Sequence, residues 1–408
     1  MREDIIVGLD IGTTKVACVI AEAADDGIHI IGVGQAPSYG MKRGIITNID
    51  KTTSAIRNAV TEAEKLAGVE VQDVYVSIKG DHIKSINSQG LVAISRSGRE
   101  IEEEDVDRAI EAATAFALPE DRKILHVIPK EFKVDNLGEI QEPVGMTGVR
   151  LEVDVHVITT ALSAMENLEK SVLRAGYGVS DIVLGPLATS YSVLKDDEMN
   201  LGVVLIDVGG GTSDIAMFWE DKIRYTSIIP VGGQHITNDL AYGLRTPPEK
   251  AESLKIKYGS AIHSIIRPDE TIEIPGVGGR PSKPISRTHL VDIIRPRVIE
   301  ILEMIEEDLK KSDLVELMQV GAVLTGGTAL LPGFAELAEE ILQMPVKIGF
   351  PSRIKGGLTE AVNSPVYSEA VGLILYALQN EGIGSGYRGT HSEESMIDKI
   401  INWLKDLF

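Results

Sequence analysis

The chain has 408 residues, 43% of them hydrophobic and 25% charged, which is typical of a folded protein with roughly two to four domains. Forty basic residues against sixty-one acidic ones give a net charge of −21. Such a surface repels a phosphate backbone, so no nucleic-acid partner is expected. The single cysteine, Cys18, excludes an internal disulfide and suits a reducing compartment.

The first predicted element is a strand, a turn and a second strand over residues 5–20. In IIVGLDIGTTKVACVI, a short apolar strand leads to Asp10, small residues form the turn, and another apolar strand follows. The residues before this unit carry acids beside their one arginine, which argues against a signal peptide. A helical pattern over 52–68 and a strand over 71–80 come next, and this alternation indicates an α/β protein.

Residues 81–157 break the alternation. They contain a polar segment, a helix that begins at the glutamates 102–104, and a strand-rich part, and we interpret them as a subdomain inserted into the first lobe. The dipole of a helix favours acidic residues in its first turn, so these glutamates indicate a solvated helix start rather than an acidic binding patch.

A second strand, turn and strand unit, VVLIDVGGGTSDIAMF at 203–218, repeats the first. The sequence therefore predicts an internal duplication, with two similar α/β lobes and a cleft between them. The alignment of the two units matches Asp10 with Asp207, Gly12 with Gly209, and Thr13 and Thr14 with Thr212 and Ser213.

Both turns contain the residue types that bind phosphate. Each offers a carboxylate followed by small residues, including Gly210 and Gly211, whose backbone N–H groups can point at one anion. Two such turns that face each other would clamp an oligophosphate. Asp10 and Asp207 would orient a hydrated Mg²⁺ ion, and Lys15 would neutralise phosphate charge.

A third glycine element, VLTGGTALLPGF, covers 323–334. A strand leads into Gly326, Gly327 and Thr328, and a helix is predicted to begin near Pro332; taken alone, a strand-to-helix turn explains this element equally well. Together, the three elements favour nucleotide binding. The chain has no Gly-Lys dipeptide for a Walker A loop, no GxGxxG motif that opens a βαβ unit and no HExxH motif, which argues against the rival nucleotide folds and against a metalloenzyme.

The last predicted element is an amphipathic helix behind a spacer, NEGIGSGYRGTHSEE, at 380–394. The helix spans about 20 Å, short of the roughly 30 Å hydrocarbon core of a bilayer, so it can lie on a membrane but cannot cross one. Docking on its own protein or on a partner helix is the alternative, and the long flexible spacer argues against it. At about 100° per residue, an arc of about 160° holds all the apolar residues: Met396, Ile397, Ile400, Ile401, Trp403, Leu404, Leu407 and Phe408.

Several of these motifs resemble a known family. DIGTTK, DVGGGTSD and LTGGTALLPGF are similar to the two phosphate motifs and the adenosine motif of the actin, Hsp70 and sugar kinase superfamily. GMKRGIITNID, VYVSIKGDHIKSINSQG and IPVGGQHITNDLAYGLRTP resemble stretches of one bacterial cell division family, FtsA, and the likeness runs from end to end. The resemblance implies an α/β actin-like fold of two duplicated lobes around a nucleotide cleft that holds ATP and Mg²⁺.

The resemblance also implies a division of the chain into subdomains. Their predicted boundaries are 1–80, 158–200 and 365–379 for the first lobe core (1A-like), 81–157 for the inserted subdomain (1C-like), 201–230 and 312–364 for the second lobe core (2A-like), 231–311 for the second small subdomain (2B-like), 380–394 for the flexible linker, and 395–408 for the membrane-targeting helix.

Further site residues follow from the same resemblance. It implies that Gly233 belongs to the site and that Glu252 and Lys255, in PEKAESLKIKYG, lie beside the base. One position departs from the pattern, because Gly185 stands where relatives carry a Gln or Glu that positions the attacking water. A glycine has no group to orient water, so we expect slow ATP hydrolysis at best, with ATP acting mainly as a conformational and assembly ligand.

The resemblance implies a set of partners. It describes a protein at the cytoplasmic face of the cell membrane, at the division site, that forms head-to-tail filaments with itself. Such a protein contacts the bilayer through its C-terminal helix, recruits later division proteins through the inserted subdomain, and binds the C-terminal tail of the tubulin-like protein FtsZ. Arg295 and Arg297 are candidates to pair with carboxylates of that tail. Two alternatives stay open: an ATP-dependent small-molecule kinase of the same superfamily, and a pilus-type assembly adaptor.

Overall fold

A computed structural model describes residues 5–94, 99–267, 269–274 and 281–380. The predicted membrane helix at 395–408, and all of the predicted spacer except Asn380, lie outside these ranges. Within the ranges, no helix is both long enough and apolar enough to cross a bilayer.

The first lobe begins with the predicted hairpin. Its first two strands are antiparallel, and they pair from Ile5 opposite Glu22 to Ile11 opposite Val16. The elements of this part are β1 (Ile5–Ile11), β2 (Lys15–Ala24), β3 (Gly27–Pro37), the short strands β4 (Met41–Lys42) and β5 (Ile45–Ile46), helix α1 (Ile49–Ala67) and β6 (Asp73–Ile78).

The segment interpreted as an insertion forms a separate antiparallel sheet with one helix against it. Its elements are β7 (Lys84–Ala93), α2 (Glu103–Thr114), β8 (Arg122–Val134), β9 (Leu137–Ile140) and β10 (Arg150–Ala161), and the strand order is β7-β10-β8-β9. Helix α2 has Glu102 as its N-cap and acidic residues throughout its first turn, which confirms the predicted helix start. In the polar segment before it, predicted without a secondary structure, residues 84–93 form the edge strand β7.

The insertion contacts the second lobe as well as the first. His156 on β10 places its Nε2 atom 3.0 Å from the Thr226 hydroxyl of the second lobe, and its Nδ1 atom lies 2.9 Å from Asn87 Oδ1. The Ser85 hydroxyl donates to the Thr226 carbonyl at 3.0 Å. On the other side, the Leu184 N–H of the first lobe donates to His126 Nε2 at 3.0 Å. The inserted sheet therefore bridges the two lobes.

The chain then returns to the first lobe and enters the second. The returning elements are α3 (Leu162–Ala175), β11 (Gly178–Leu184), α4 (Gly185–Val193) and α5 (Asp196–Leu201). The second lobe contains β12 (Val203–Val208), β13 (Ser213–Trp219), β14 (Lys222–Ile229), α6 (Gly233–Leu244), α7 (Pro248–Tyr258), β15 (Thr271–Ile274), β16 (Lys283–Ser286), α8 (Arg287–Lys310), β17 (Gly321–Thr325), α9 (Phe334–Leu342) and β18 (Val346–Ile348). The chain ends its described part with β19 (Ile354–Gly357), α10 (Thr359–Val362) and α11 (Ser368–Asn380).

The two lobes share one sheet topology. The first sheet has the order β11-β6-β1-β2-β3-β19 and the second has the order β18-β17-β12-β13-β14. In each, three antiparallel strands come first in sequence and two parallel strands are added beside the first of them. The duplication predicted from the two hairpins is therefore confirmed for five strands of each lobe.

Helix α11 ties the end of the described chain to the first lobe. A side-chain carbon on Gly372 would overlap the Ala188 carbonyl of α4, so the two helices cross with their backbones in contact. The helix also reaches the second lobe, because the Thr325 hydroxyl at the end of β17 lies 2.8 Å from the Ser368 hydroxyl. The first turn of α11 thus lies where the two lobes meet.

Candidate functional site

The turns of the two duplicated hairpins face each other. A side-chain carbon on Gly210 would lie 2.5 Å from Thr14 Cγ2, and one on Gly211 would overlap the Thr13 hydroxyl. A larger residue at either position would collide with a threonine side chain of the other lobe. The sequence-predicted phosphate turns, 12–14 and 209–213, are therefore brought together from the two lobes.

The two aspartates of the hairpins are both buried at this meeting point. Asp10 is 5% exposed and Asp207 is 8% exposed. Asp10 accepts hydrogen bonds from Lys15 Nζ at 3.1 Å and from Lys79 Nζ at 2.9 Å. Burial alone would raise the pKa of Asp10, but the positive charges of Lys79 and, to a smaller extent, Lys15 lower it to about 2.

Three charged residues that the sequence analysis missed join this site: Asp214 and Glu369 are buried and Lys79 is partly buried. Lys79 contacts the carboxylates of both Asp10 and Glu369, and Asp214 lies opposite Asp207 in the β12–β13 pair. Lys79 directly follows β6, which is parallel to β1, so the ends of both strands lie together. A lysine at the end of a buried strand was the only signal in the sequence, and Glu369, in the first turn of α11, had none.

The charges of this cluster do not balance. Although burial opposes the charged form of Lys79, the carboxylates of Asp10 and Glu369 raise its pKa well above the usual value. Burial raises the pKa values of Asp207 and Asp214, and it raises that of Glu369 to about 7. Four buried carboxyl groups thus share two lysines, an excess of acid that a divalent cation would offset. The described residues contain no cluster of three or more histidine, cysteine or acidic side chains with the geometry of a metal site.

The third glycine element, 323–334, lies against the phosphate turn of the second lobe. Gly326 has a φ of +84°, and a side-chain carbon there would overlap Asp207 Oδ1, so glycine is required for two reasons. Gly327 begins the short 3₁₀ helix 327–330, and the Thr328 hydroxyl donates to the Gly209 carbonyl at 2.9 Å. The predicted strand and turn are confirmed, and the predicted helix is α9, which begins at Phe334, two residues after Pro332.

The residues predicted to lie beside the base form a group at the start of α6. Lys255 Nζ donates to the Gly233 carbonyl at 3.0 Å and to the Thr237 hydroxyl at 2.9 Å, and it pairs with Glu252 Oε2 at 2.8 Å. A side-chain carbon on Gly233 would overlap the Thr328 hydroxyl. This group is therefore continuous with the third glycine element.

Comparisons with known proteins identify the family. A family model described as cell division protein FtsA matches residues 204–372, and one described as the SHS2 domain inserted in FtsA matches residues 80–159. The chain is 43% identical to FtsA of Pseudomonas aeruginosa over 99% of its own length and 98% of that protein. It is 40% identical to FtsA of Bacillus subtilis over 98% of its own length and 89% of that protein. The chain belongs to the FtsA family of cell division proteins.

Solved structures share the fold of this FtsA family member. The PilM–PilN type IV pilus biogenesis complex matches with a TM-score of 0.68 and 16% identity, over 91% of this chain and 98% of that chain. MreB5 of Spiroplasma citri bound to ADP matches with a TM-score of 0.58 and 14% identity, over 95% of this chain and 100% of that chain. The predicted actin-like α/β fold with an insertion in the first lobe is confirmed, while the residue boundaries of the subdomains stay predictions.

The two arginines predicted to bind the FtsZ tail lie on α8. Arg297 already pairs with Asp239 of α6, at 2.6 Å from Nε to Oδ2, and with Glu300. Arg295 donates to the Ala261 carbonyl at 3.4 Å. An FtsZ tail carboxylate would therefore have to share or displace the existing partner of Arg297, and this role stays a prediction.

Proposed function

We propose that this FtsA family member binds ATP with Mg²⁺ between its two lobes. The observation that carries the proposal is the meeting of the two turns, where Gly210 and Gly211 face Thr14 and Thr13. Two facing turns of small residues suit a phosphate chain, because their backbones can approach it closely. MreB5 of Spiroplasma citri, which shares the fold, has been solved with ADP and with AMPPNP bound.

The residues of the site fit ATP and Mg²⁺. Asp10 and Asp207 are two oxygen donors in a cluster with excess acid, which suits a hard divalent cation held through water. The bound cation would neutralise phosphate charge, and Lys15 would add one positive charge to it. Glu252 and Lys255, on α7 and packed against the start of α6, are polar groups that could contact a ribose or a base.

We further propose that the protein attaches to the cytoplasmic face of the cell membrane at the division site. The proposal rests on the apolar arc of 396–408 and on the family. One such helix buries only one face, so a single copy should bind weakly and reversibly. Copies in a head-to-tail filament would bind firmly by avidity, and we propose that ATP-dependent assembly and membrane attachment are coupled.

The proposed partners are FtsZ and later division proteins. We place the FtsZ tail on the small subdomain 231–311, where the end of α6 and the start of α7 border a groove of about 610 Å³. Tyr242 in this groove is 89% exposed, and Arg245 supplies a positive charge for an acidic peptide. Gly243 of the same groove lies against Ile293 on α8, close in sequence to Arg295. The insertion 81–157 is the proposed surface for the other division proteins.

Liposome flotation tests the attachment. The intact chain should float, whereas a chain truncated after Gln379 and a Trp403→Glu variant should stay in solution. Asn402→Glu adds the same charge on the polar arc of the helix and should float like the intact chain. If all four proteins behave alike, the terminal segment does not bind lipid.

A synthetic FtsZ C-terminal peptide tests the partner site. Tyr242→Ala should weaken its binding at least about tenfold, as expected for an exposed aromatic anchor. Tyr39→Ala, which removes another exposed tyrosine (67%) from the first lobe, serves as the control. Equal affinities in both variants would place the peptide elsewhere.

ATP hydrolysis is proposed to be slow at best, because Gly185 offers no group to a water. A fast steady-state rate that Asp207→Ala abolishes would contradict this. The family assignment disfavours both alternatives from the sequence, a small-molecule kinase and a pilus-type adaptor, since the relatives that match over nearly their whole length are division proteins.

A further inference from the structure

A carboxylate from a distant part of the chain occupies the space beside Gly185. A side-chain carbon added to Gly185 would lie 2.9 Å from Glu369 Oε1 and 3.7 Å from Lys79 Cβ. Gly185 begins α4, directly after β11, whereas Glu369 belongs to the first turn of α11. Gly185 itself has no functional group, but its lack of a side chain leaves room for the Glu369 carboxylate.

Glu369 is held in place from several sides. Its Oε2 atom pairs with Lys79, whose Nζ also donates to Asp10 Oδ1 at 2.9 Å. The preceding residue, Ser368, accepts a hydrogen bond at 2.6 Å from the Ser192 hydroxyl through its carbonyl, and its hydroxyl contacts Thr325 of the second lobe. One carboxylate oxygen is thus fixed by a lysine that also contacts Asp10, and the helix that carries it is fixed to both lobes.

The other oxygen of Glu369 is available. Glu369 is 4% exposed, and its Oε1 atom is buried with no hydrogen-bond partner in the part of the chain that the structure describes. A buried carboxylate oxygen is normally satisfied by a donor, and water supplies one. This oxygen faces Gly185. Lys79 contacts both Glu369 and Asp10, so the oxygen belongs to the cluster that is proposed to bind the phosphates and the cation.

We propose that Glu369 Oε1 orients the attacking water in nucleoside triphosphate hydrolysis and that Lys79 positions Glu369. The inference rests on the proposed binding of ATP. The oxygen of water bonds to the terminal phosphorus while the bond from that phosphorus to the bridging oxygen breaks. The bonding pair stays with the diphosphate, and the water protons leave with the released phosphate or pass to solvent. Hydrolysis in this chain, although slow, then depends on α11 instead of on position 185.

Single-turnover hydrolysis and ATP affinity, measured on the same proteins, test the inference. Glu369→Gln keeps the shape of the side chain but turns one of its oxygens into a donor, so the hydrolysis rate should fall about tenfold or more while the Kd for ATP changes less than about twofold. ATP rather than ADP should then be the nucleotide recovered after the loaded variant is incubated and denatured. Glu360→Gln, an exposed glutamate on α10, is the matched control and should behave like the unchanged chain.

A second variant keeps the inference testable if Glu369→Gln folds poorly. Gly185→Ala removes no charge but pushes the carboxylate from its place, so it should slow hydrolysis in the same way and leave ATP affinity intact. An unchanged rate in both variants, or no hydrolysis by the parent chain, would overturn the role of Glu369 while leaving ATP binding in place. Failure of the parent chain to bind ATP would overturn the proposed function itself, and the role of Glu369 with it.

Discussion

The contact between the insertion and the second lobe should weaken in mild acid. His156 is 1% exposed and bonds to Asn87 and Thr226 through its two ring nitrogens. Burial, with a smaller contribution from Lys130, lowers its pKa from 6.5 to about 4. The folded protein therefore holds this imidazole neutral over a range in which the unfolded chain would protonate it.

The sign and size of the effect follow from linkage. Between about pH 6.5 and pH 4 the unfolded state binds more protons at this position, so the stabilisation is complete above the unfolded pKa and is lost as the pH falls toward the folded pKa. For pKa values of 6.5 and about 4, lowering the pH from about 7.5 to about 5 removes about 2 kcal/mol of stability.

Amide hydrogen exchange, corrected for the intrinsic rate at each pH, measures this loss locally. Peptides from β10 (150–161) should lose about 2 kcal/mol of protection in the parent chain between the two pH values. In His156→Gln, which keeps a hydrogen-bonding group but cannot be protonated, the pH-dependent part should vanish. Peptides from β12 report changes in the second lobe that do not involve His156. If the parent and the variant show the same pH dependence, the buried neutral histidine is not its source.

Three further predictions concern the site between the lobes. Gly211→Ala should weaken ATP binding at least about tenfold in a calorimetric titration, because the new methyl group overlaps Thr13 and separates the turns. The control Gly138→Ala, where the nearest atom is 3.6 Å away, should leave the affinity unchanged. Equal losses of ATP affinity in the two variants would contradict the facing turns. Lys79→Met should lower the melting temperature in calorimetry by several degrees, since leaving buried carboxylates without their partner costs about 3–5 kcal/mol. Adding Glu369→Gln should restore part of that loss, and an unchanged melting temperature would show that Lys79 contributes no stability. Removing Mg²⁺ with EDTA should weaken binding of a fluorescent ATP analogue at least about tenfold, because the phosphates would then approach several buried carboxyl groups without a cation between them. Equal affinity with and without the ion would refute the proposal that the aspartates orient a bound Mg²⁺.

Much of the fold could be predicted because its signals are local. Each hairpin is an apolar run, an aspartate and a cluster of small turn residues. The insertion is visible because residues 81–157 break the alternation of predicted strands and helices. These features need only neighbours in sequence, and they led to the correct hairpins, duplication and third glycine element. Long motifs in the right order then led to the correct family.

The sequence by itself thus determined which segments form the site, and only the tertiary structure decided which charged side chains meet there. Lys79 lies 69 residues from Asp10 and 290 residues from Glu369 in the sequence. The parallel pairing of β6 with β1 brings Lys79 next to Asp10, and the packing of α11 brings Glu369 next to Lys79. The contact of His156 with Thr226, across 70 residues, likewise depends on how the insertion packs on the second lobe. No local pattern encodes such contacts, because each one depends on how elements that are distant in sequence pack together.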